Sequence, residues 1–222
     1  MILRHLALLN GKDIVLGSGS PRRKEILETL GLRFRVQPSG FAEDLDKAAF
    51  SSAAAYVRET CLQKLRYLLA DEKVAASANL VICADTVVVR TVGEAAGGWQ
   101  VLEKPSDRDS AVAMLQSLSG DSHEVLTAVA FATRGLSSGG AAVGAFDEHG
   151  LVASTTVHFA ALAKEDIDVY VNSGEPFDKA GGYGIQGQAG AFVERIEGCF
   201  YNVMGFPMQG FAQELSAQVP QQ

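Results

Sequence analysis

Apolar residues recur along the chain at two different spacings, which predicts alternating strands and helices. Residues 80–89 form a nearly continuous apolar run, LVICADTVVV, which is typical of a strand buried on both faces. Residues 51–70 instead repeat apolar side chains at helical spacing, and the predicted buried side carries Tyr56, Val57, Leu62, Leu65, Leu68 and Leu69. The alternation predicts an α/β protein.

The same pattern places the other elements. Further strands are predicted at 14–17, 34–37, 123–133, 154–160 and 191–196, and further helices at 21–30, 106–118, 163–172 and from Pro207 onward. The predicted loops are the Gly-rich stretches 137–150 and 174–190 and the polar stretch 39–47, which carries Glu43, Asp44 and Asp46. Because no repeat or linker interrupts this order, we expect residues 1–222 to form one α/β domain with two lobes around a cleft.

Composition narrows the class of protein. The chain has 222 residues, of which 47% are hydrophobic, and a net charge of −7, so we expect neither general disorder nor binding to nucleic acid or a membrane surface. No apolar stretch approaches the roughly 18 residues of a membrane span. The three cysteines, Cys61, Cys83 and Cys199, are far apart and are predicted to be reduced thiols. Without a recognisable signal peptide, a cytoplasmic location is expected.

The stretch GSGSPRRKEIL at 17–27 carries an unusual charge pattern. Ser20 before Pro21 predicts a helix start, because a hydroxyl suits the N-cap and proline suits the first helical position. The first turn nevertheless holds Arg22, Arg23 and Lys24, where the helix dipole already supplies positive charge. A solvated basic turn is one interpretation. The Gly-Ser residues that precede the helix favour a second interpretation, a phosphate-binding site.

Two further side chains are candidates for chemistry. Asp85 lies inside the apolar run, where a carboxylate is costly unless it is paired, hydrogen-bonded or metal-bound. It is therefore either a strand-end cap or a carboxylate that holds a divalent cation or orients water. Lys104 precedes Pro105, which favours extended backbone, so its ammonium can project from a strand end. On its own this lysine is a weak signal, since lysines before turns are common.

The segment 174–190 contains the pattern Gly182-x-Gly184-x-x-Gly187, which formally matches a dinucleotide-binding loop. Its context is wrong for that motif, because charged residues precede it and a predicted strand follows it. A loop that closes over a ligand with Lys179 and Gln186 is the alternative interpretation. The histidines, at 5, 123, 149 and 158, lack metal-ligand spacing, and no serine-hydrolase elbow or zinc-protease motif occurs.

Taken in order, six motifs resemble those of the Maf proteins, a family of nucleoside triphosphate pyrophosphatases first described as septum-formation inhibitors. They are SxSPRR at 18–23, CADTVV at 83–88, LEKP at 102–105, SGxxHxVxTAV at 119–129, GEPxDKAGGYGIQG at 174–187 and GCxxNVxGxP at 198–207. The resemblance covers nearly the whole chain. The chain departs from the family pattern at two places. Leu65 follows the helix lysine, Lys64, where the family usually has alanine, and the loop 137–150 is added.

The resemblance implies a mixed, twisted β-sheet flanked by helices, with a deep cleft between two lobes. It also implies cleavage of a nucleoside triphosphate into a monophosphate and pyrophosphate. The implied catalytic residues are Asp85, Glu43 and Lys104, with Asp85 and Glu43 binding Mg²⁺ or Mn²⁺ or activating the attacking water. The implied substrate-binding residues are Ser18, Ser20, Arg22, Arg23, Lys64, Thr86, Lys179 and Gln186.

Two sub-motifs within this resemblance concern the base. Ala84-Asp85-Thr86 and Ile185-Gln186-Gly187 are similar to the subgroup that prefers dTTP and UTP, rather than the one that prefers 7-methylguanosine triphosphate. A neutral amide such as Gln186 both donates and accepts hydrogen bonds, which suits an uncharged pyrimidine edge. The expected partner is thus a small-molecule nucleoside triphosphate, with a homodimer left open. The alternatives are a non-catalytic nucleotide-binding regulator of cell division and, more remotely, a nicotinamide-dependent oxidoreductase.

Overall fold

The computed structural model describes residues 1–92, 98–136 and 145–220. Within them lies one seven-stranded sheet, formed by β1 (Ile14–Leu16), β2 (Arg35–Val36), β3 (Leu80–Thr91), β4 (Trp99–Leu102), β5 (Ser122–Thr133), β6 (Asp147–Phe159) and β7 (Val193–Glu197). The helices are α1 (Leu6–Leu9), α2 (Pro21–Thr29), α3 (Ala53–Leu69), α4 (Glu72–Ser77), α5 (Arg108–Leu118), α6 (Lys164–Asn172), α7 (Phe200–Met204) and α8 (Met208–Ala217). Short 3₁₀ turns lie at Ile2–His5, Lys47–Ala49, Glu175–Asp178, Ala180–Gly182 and Gln188–Phe192.

The sheet is mixed, and its strand order is β2-β1-β3-β5-β6-β7. Strand β1 runs parallel to β2 and β3, and the remaining pairs are antiparallel. On one side of β3, β1 pairs only as far as Ile82, and β4 takes over only from Val88. Between those two residues β3 pairs with β5 alone, which leaves a gap along its other edge.

Alternation along β3 explains how the two faces of the sheet are covered. Val81, Cys83 and Val87 pack against the apolar side of α3, in a cluster that includes Tyr56 and Leu65. Helix α3 is capped by Ser52, whose hydroxyl accepts a hydrogen bond from the backbone N–H of Ala55 at 3.1 Å. Since Asp85 shares this parity, the fold directs its side chain toward α3.

The opposite face carries two separate apolar clusters. One joins β1, α2 and α8 through residues such as Leu16, Ile26 and Phe211. The other joins α5, α6 and the Gly-rich segment through Val88, Leu115, Tyr170 and Tyr183, among others. On β3, Ala84 belongs to the first cluster and Val88 to the second, while Thr86 lies between them. The fold-class prediction is confirmed: helices flank a mixed sheet.

Most predicted elements are confirmed, and the differences have local causes. The pattern missed β4 and the short helices α1, α4 and α7, because elements of this length carry little periodicity. Residues 147–150 were expected in the loop 137–150 but begin β6, where Gly150 pairs with Ala130. A Cβ on Gly150 would lie 3.0 Å from the Val129 carbonyl oxygen, so glycine serves a close strand approach here. Residues 137–144 lie outside the described residues.

Two predictions from composition can be compared with the structure. Cys61, Cys83 and Cys199 are free thiols, and burial raises the pKa of Cys61 to about 12, so that thiol stays protonated. Among the described helices, none combines the length and the apolar character that crossing a membrane requires.

We predict that Gly17→Ala destabilises the fold. Gly17 follows β1 and donates its N–H to the Ile82 carbonyl at 2.7 Å, and an added Cβ would lie 2.4 Å from Leu68 Cδ1 and 2.5 Å from Cys83 Sγ. Overpacking of this kind costs about 1–3 kcal/mol. Urea unfolding measures the loss. Gly19→Ala is the matched control, because its Cβ meets only Pro38 Cγ at 3.6 Å. Equal stabilities of the two variants would contradict this packing account.

Candidate active site

A cleft of about 580 Å³ opens where β3 lacks its second neighbour. Its walls come from the loop after β1, the start of α2, one side of α3, the turn after β4 and the Gly-rich segment. Every residue that the sequence assigned to the site lines this cleft: Ser18, Ser20, Arg22, Arg23, Glu43, Lys64, Asp85, Thr86, Lys104, Lys179 and Gln186. The topology therefore brings residues of four of the six motifs together with Glu43 and Lys64.

The floor of the cleft holds a buried ion pair. Lys64 Nζ on α3 lies 2.6 Å from Asp85 Oδ1 on β3, and each residue is only 7% exposed. The same ammonium lies 2.8 Å from Oε1 of Glu43, whose side chain is 57% exposed. Burial by itself lowers the pKa of Lys64, but the charge and hydrogen bonds of Asp85 and Glu43 raise it above its usual value. Lys64 is therefore a fixed cation between two carboxylates.

These carboxylates also fit a divalent metal that is shared with a substrate. Lys64 contacts one oxygen of Asp85 and one of Glu43, so the second oxygen of each carboxylate is left for another cation. The described residues include no cluster of three or more His, Cys, Asp or Glu side chains that would hold a metal alone. Mg²⁺ commonly binds through one or two carboxylates together with substrate phosphates. This donor set therefore suits a metal that arrives with a phosphate.

The start of α2 has the predicted cap. Ser20 is the N-cap, Pro21 is the first helical residue, and the Arg23 N–H donates to Ser20 Oγ at 3.5 Å. The Arg23 side chain turns inward and donates to Ser18 Oγ at 3.0 Å, Thr86 Oγ1 at 3.1 Å and the Gly205 carbonyl at 3.0 Å. Burial lowers the pKa of Arg23, which the charge of Asp85 partly offsets. This guanidinium thus ties the helix start to β3 and to the end of α7.

Arg22 points across the cleft to the Gly-rich segment. Its guanidinium lies 2.8 Å from Asp178 Oδ2, while Lys179 Nζ lies 2.6 Å from Asp178 Oδ1 and 2.7 Å from the Glu175 carbonyl. One carboxylate therefore bridges two of the cations assigned to phosphate binding. The sequence pattern gave Asp178 no role, although it lies beside Lys179 in the motif that was singled out.

Lys104 and Gln186 face the cleft from its rim. Lys104 follows β4 by two residues and is exposed. Among the described residues, no carboxylate forms an ion pair with it. Gln186 packs beside Gly184, where a Cβ would lie 2.6 Å from Lys179 Cε and 3.1 Å from Gln186 Nε2. The glycine thus lets two candidate binding side chains lie close together.

His123 supports the site from behind, a role that sequence reasoning missed. Its Nε2 lies 2.7 Å from the hydroxyl of Tyr183, which lines the cleft, and burial lowers the pKa of His123 to about 4. The imidazole is therefore neutral at neutral pH and anchors the Gly-rich segment to β5. Its position within the motif at 119–129 was the available signal.

Comparison with known proteins finds one matching family and relatives with similar names. The family model described as "Maf-like protein" matches residues 13–218. A human protein named "Probable bifunctional dTTP/UTP pyrophosphatase/methyltransferase protein" is 44% identical over 216 residues, which cover 92% of this chain and 32% of the human protein. The chain thus spans about a third of that relative's length.

Two bacterial relatives, both named dTTP/UTP pyrophosphatase, match over nearly their whole length. The protein of Vibrio cholerae is 41% identical over 195 residues, covering 88% of this chain and 92% of the relative. The protein of Desulforamulus reducens is 40% identical over 209 residues, covering 92% of this chain and 95% of the relative.

The ion pair generates a prediction that separates stability from catalysis. Asp85→Asn leaves the buried Lys64 ammonium with Glu43 alone, and breaking a buried pair in this way costs about 3 kcal/mol. The double variant Lys64→Met/Asp85→Asn removes both charges and should recover most of that stability. Both variants should lose at least ~10²-fold in kcat if Asp85 acts on the reacting groups. Urea unfolding and steady-state kinetics on each variant provide the two readouts.

The pH dependence of the free energy of unfolding provides a control for the comparison of these variants. Because the pKa of Lys64 is raised, the stability from its charge is fully present below its usual pKa of 10.5 and is lost as the pH rises through the raised value. The stability difference between the unmodified protein and the double variant Lys64→Met/Asp85→Asn should therefore be constant across the neutral range, since neither buried charge remains in the variant. A double variant that regained activity would contradict a catalytic role for Asp85.

Proposed function

This chain belongs to the Maf-like protein family, and on that premise we propose that it is a dTTP/UTP pyrophosphatase that releases the nucleoside monophosphate and pyrophosphate. The observation that carries the proposal is the buried ammonium of Lys64, held between Asp85 and Glu43 at the floor of a cleft rimmed by cations. Such a site combines a fixed positive charge with carboxylates that can accept a proton.

We assign phosphate binding to the cations of the cleft and to the start of α2. Arg22, Lys104 and Lys179 face the cleft, and the loop Ser18-Gly19-Ser20 leads into the positive end of the helix dipole. Arg22 and Lys179 already hold the Asp178 carboxylate. A triphosphate would exchange with that carboxylate, so these two cations are positioned before the substrate arrives.

Hydrolysis follows from the placement of the carboxylates. Water attacks the α-phosphorus and gives its proton to Asp85 or Glu43, while the bond from the α-phosphorus to the α,β-bridging oxygen breaks. The bonding electrons leave with pyrophosphate, whose developing charge is offset by Lys64 and Lys104. A bound Mg²⁺ or Mn²⁺, held by Asp85 and Glu43, would supply Lewis-acid stabilisation of the phosphate oxygens.

Several wider assignments belong to the same proposal. The chain would act as one domain over residues 1–222, in the cytoplasm, and its reaction would remove unwanted nucleotides from the pool. A neutral Gln186 beside the ligand suits an uncharged pyrimidine better than the cationic ring of 7-methylguanine. A homodimer remains a prediction.

We predict that dTTP and UTP are hydrolysed with a kcat/KM at least ~10-fold above that of purine triphosphates, since a base-reading site left with unpaired polar groups discriminates by this order or more. The products should be the monophosphate and pyrophosphate, and EDTA should abolish the activity. Chromatography of products from a panel of dTTP, UTP, dATP, GTP and 7-methylguanosine triphosphate measures the substrate preference, the identity of the products and the effect of EDTA.

Each result of the panel has a distinct meaning. Release of single phosphates would contradict the reaction, and a preference for 7-methylguanosine triphosphate would contradict the base assignment alone. Binding of dTTP without any turnover would favour the non-catalytic regulator.

A further inference from the structure

The gap in the pairing of β3 leaves backbone groups on the cleft side without a strand partner. The Gly17 N–H donates to the Ile82 carbonyl at 2.7 Å, which shows that Ile82 faces the β1 side of the strand. Residues along a strand turn their N–H and C=O groups to alternate sides. Ala84 and Thr86 therefore direct both of their backbone groups to the same side as Ile82, where neither β1 nor β4 reaches.

These backbone groups have no partner within the described part of the chain. The backbone hydrogen bonds from β1 and its following residue to β3 end with Gly17, and the pairing of β4 with β3 begins at Val88. Both Ala84 and Thr86 line the cleft, and Ala84 is only 1% exposed. Buried backbone N–H and C=O groups are almost always paired, so an unpaired row in a cleft favours a ligand that supplies the missing partners.

The neighbouring side chains do not pair with the backbone groups of this edge. Thr86 Oγ1 contacts Arg23, Thr127 Oγ1 at 3.0 Å and the Gly205 carbonyl at 3.4 Å, so its hydroxyl is already engaged. Asp85 points to the other face, toward Lys64. The backbone of Ala84 and Thr86 is thus the polar surface that β3 itself presents to the cleft.

We propose that this edge reads the base of the nucleotide, an inference that rests on the proposed function. Along this edge the Ala84 N–H, the Ala84 C=O and the Thr86 N–H follow one another as donor, acceptor and donor, and the Thr86 C=O comes after them. The imide face of uracil and thymine offers the complement, with a carbonyl, the N3–H and a second carbonyl. A phosphate has only acceptor oxygens and would meet the Ala84 carbonyl unfavourably, so the edge suits the base rather than the phosphate tail.

This arrangement also discriminates among bases. Cytosine presents two acceptors followed by a donor, and adenine presents an acceptor followed by a donor, so each pairs fewer of these three backbone groups than the imide face does. A site that hydrogen-bonds a ligand rejects an analogue that leaves buried polar groups unpaired. The backbone of Ala84 and Thr86, rather than the Gln186 amide, is then the reader of the N3–H.

The test uses a base analogue, because backbone groups cannot be removed cleanly by substitution. 3-Methyl-UTP lacks the N3–H donor and adds bulk at that atom, whereas 5-methyl-UTP leaves the imide face intact. We expect kcat/KM for 3-methyl-UTP to fall at least ~10-fold below that for UTP, with 5-methyl-UTP close to UTP. The same ratio should persist in Gln186→Ala. Equal rates for UTP and 3-methyl-UTP, or a ratio that vanishes in Gln186→Ala, would overturn the inference.

A binding measurement separates this inference from the proposed function. Calorimetry with α,β-methylene-UTP and its 3-methyl derivative needs no turnover, and we expect at least ~10-fold weaker binding of the methylated form. If UTP were not hydrolysed while this difference held, the pyrophosphatase proposal would fall and the base-reading edge would stand. If UTP were hydrolysed and both analogues bound equally, only the base-reading edge would fall.

Discussion

Strand β3 has a neighbour on one side only between Ile82 and Val88, and the site depends on that break. If β1 or β4 continued along this edge, its backbone would fill the space that is now the cleft. Within this stretch, side chains alternate between the two faces of β3, so Asp85 lies toward α3 and Thr86 lies toward Arg23. A buried carboxylate in this position requires a cation, and Lys64 on α3 provides it.

Three cations of the cleft already have carboxylate partners inside the protein. Lys64 lies between Asp85 and Glu43, and Arg22 and Lys179 share Asp178. Positive charge gathered at a helix start and a Gly-rich loop would otherwise destabilise the fold by mutual repulsion. Binding of a triphosphate is then an exchange of one anion for another, and the side chains that hold the phosphates need little reorganisation.

The periodicity of the chain predicts the long elements and the fold class, because β3, α3 and β5 each bury a regular apolar pattern. It could not predict β4 or α4, since four to six residues carry too few repeats. In the site, Asp85 could be found as a carboxylate in an apolar strand, and Arg22 as a cation at a helix start. The roles of Asp178 and His123 could not, because each depends on a contact with a distant segment, Arg22 in one case and Tyr183 in the other.

The central claim is that the carboxylates at the floor of the cleft direct water to the α-phosphorus. Hydrolysis of dTTP in water enriched in oxygen-18, followed by mass spectrometry of both products, tests it directly. The account predicts one labelled oxygen in the thymidine monophosphate and none in the pyrophosphate. Label in the pyrophosphate would show attack at the β-phosphorus and would contradict the assigned geometry of the site.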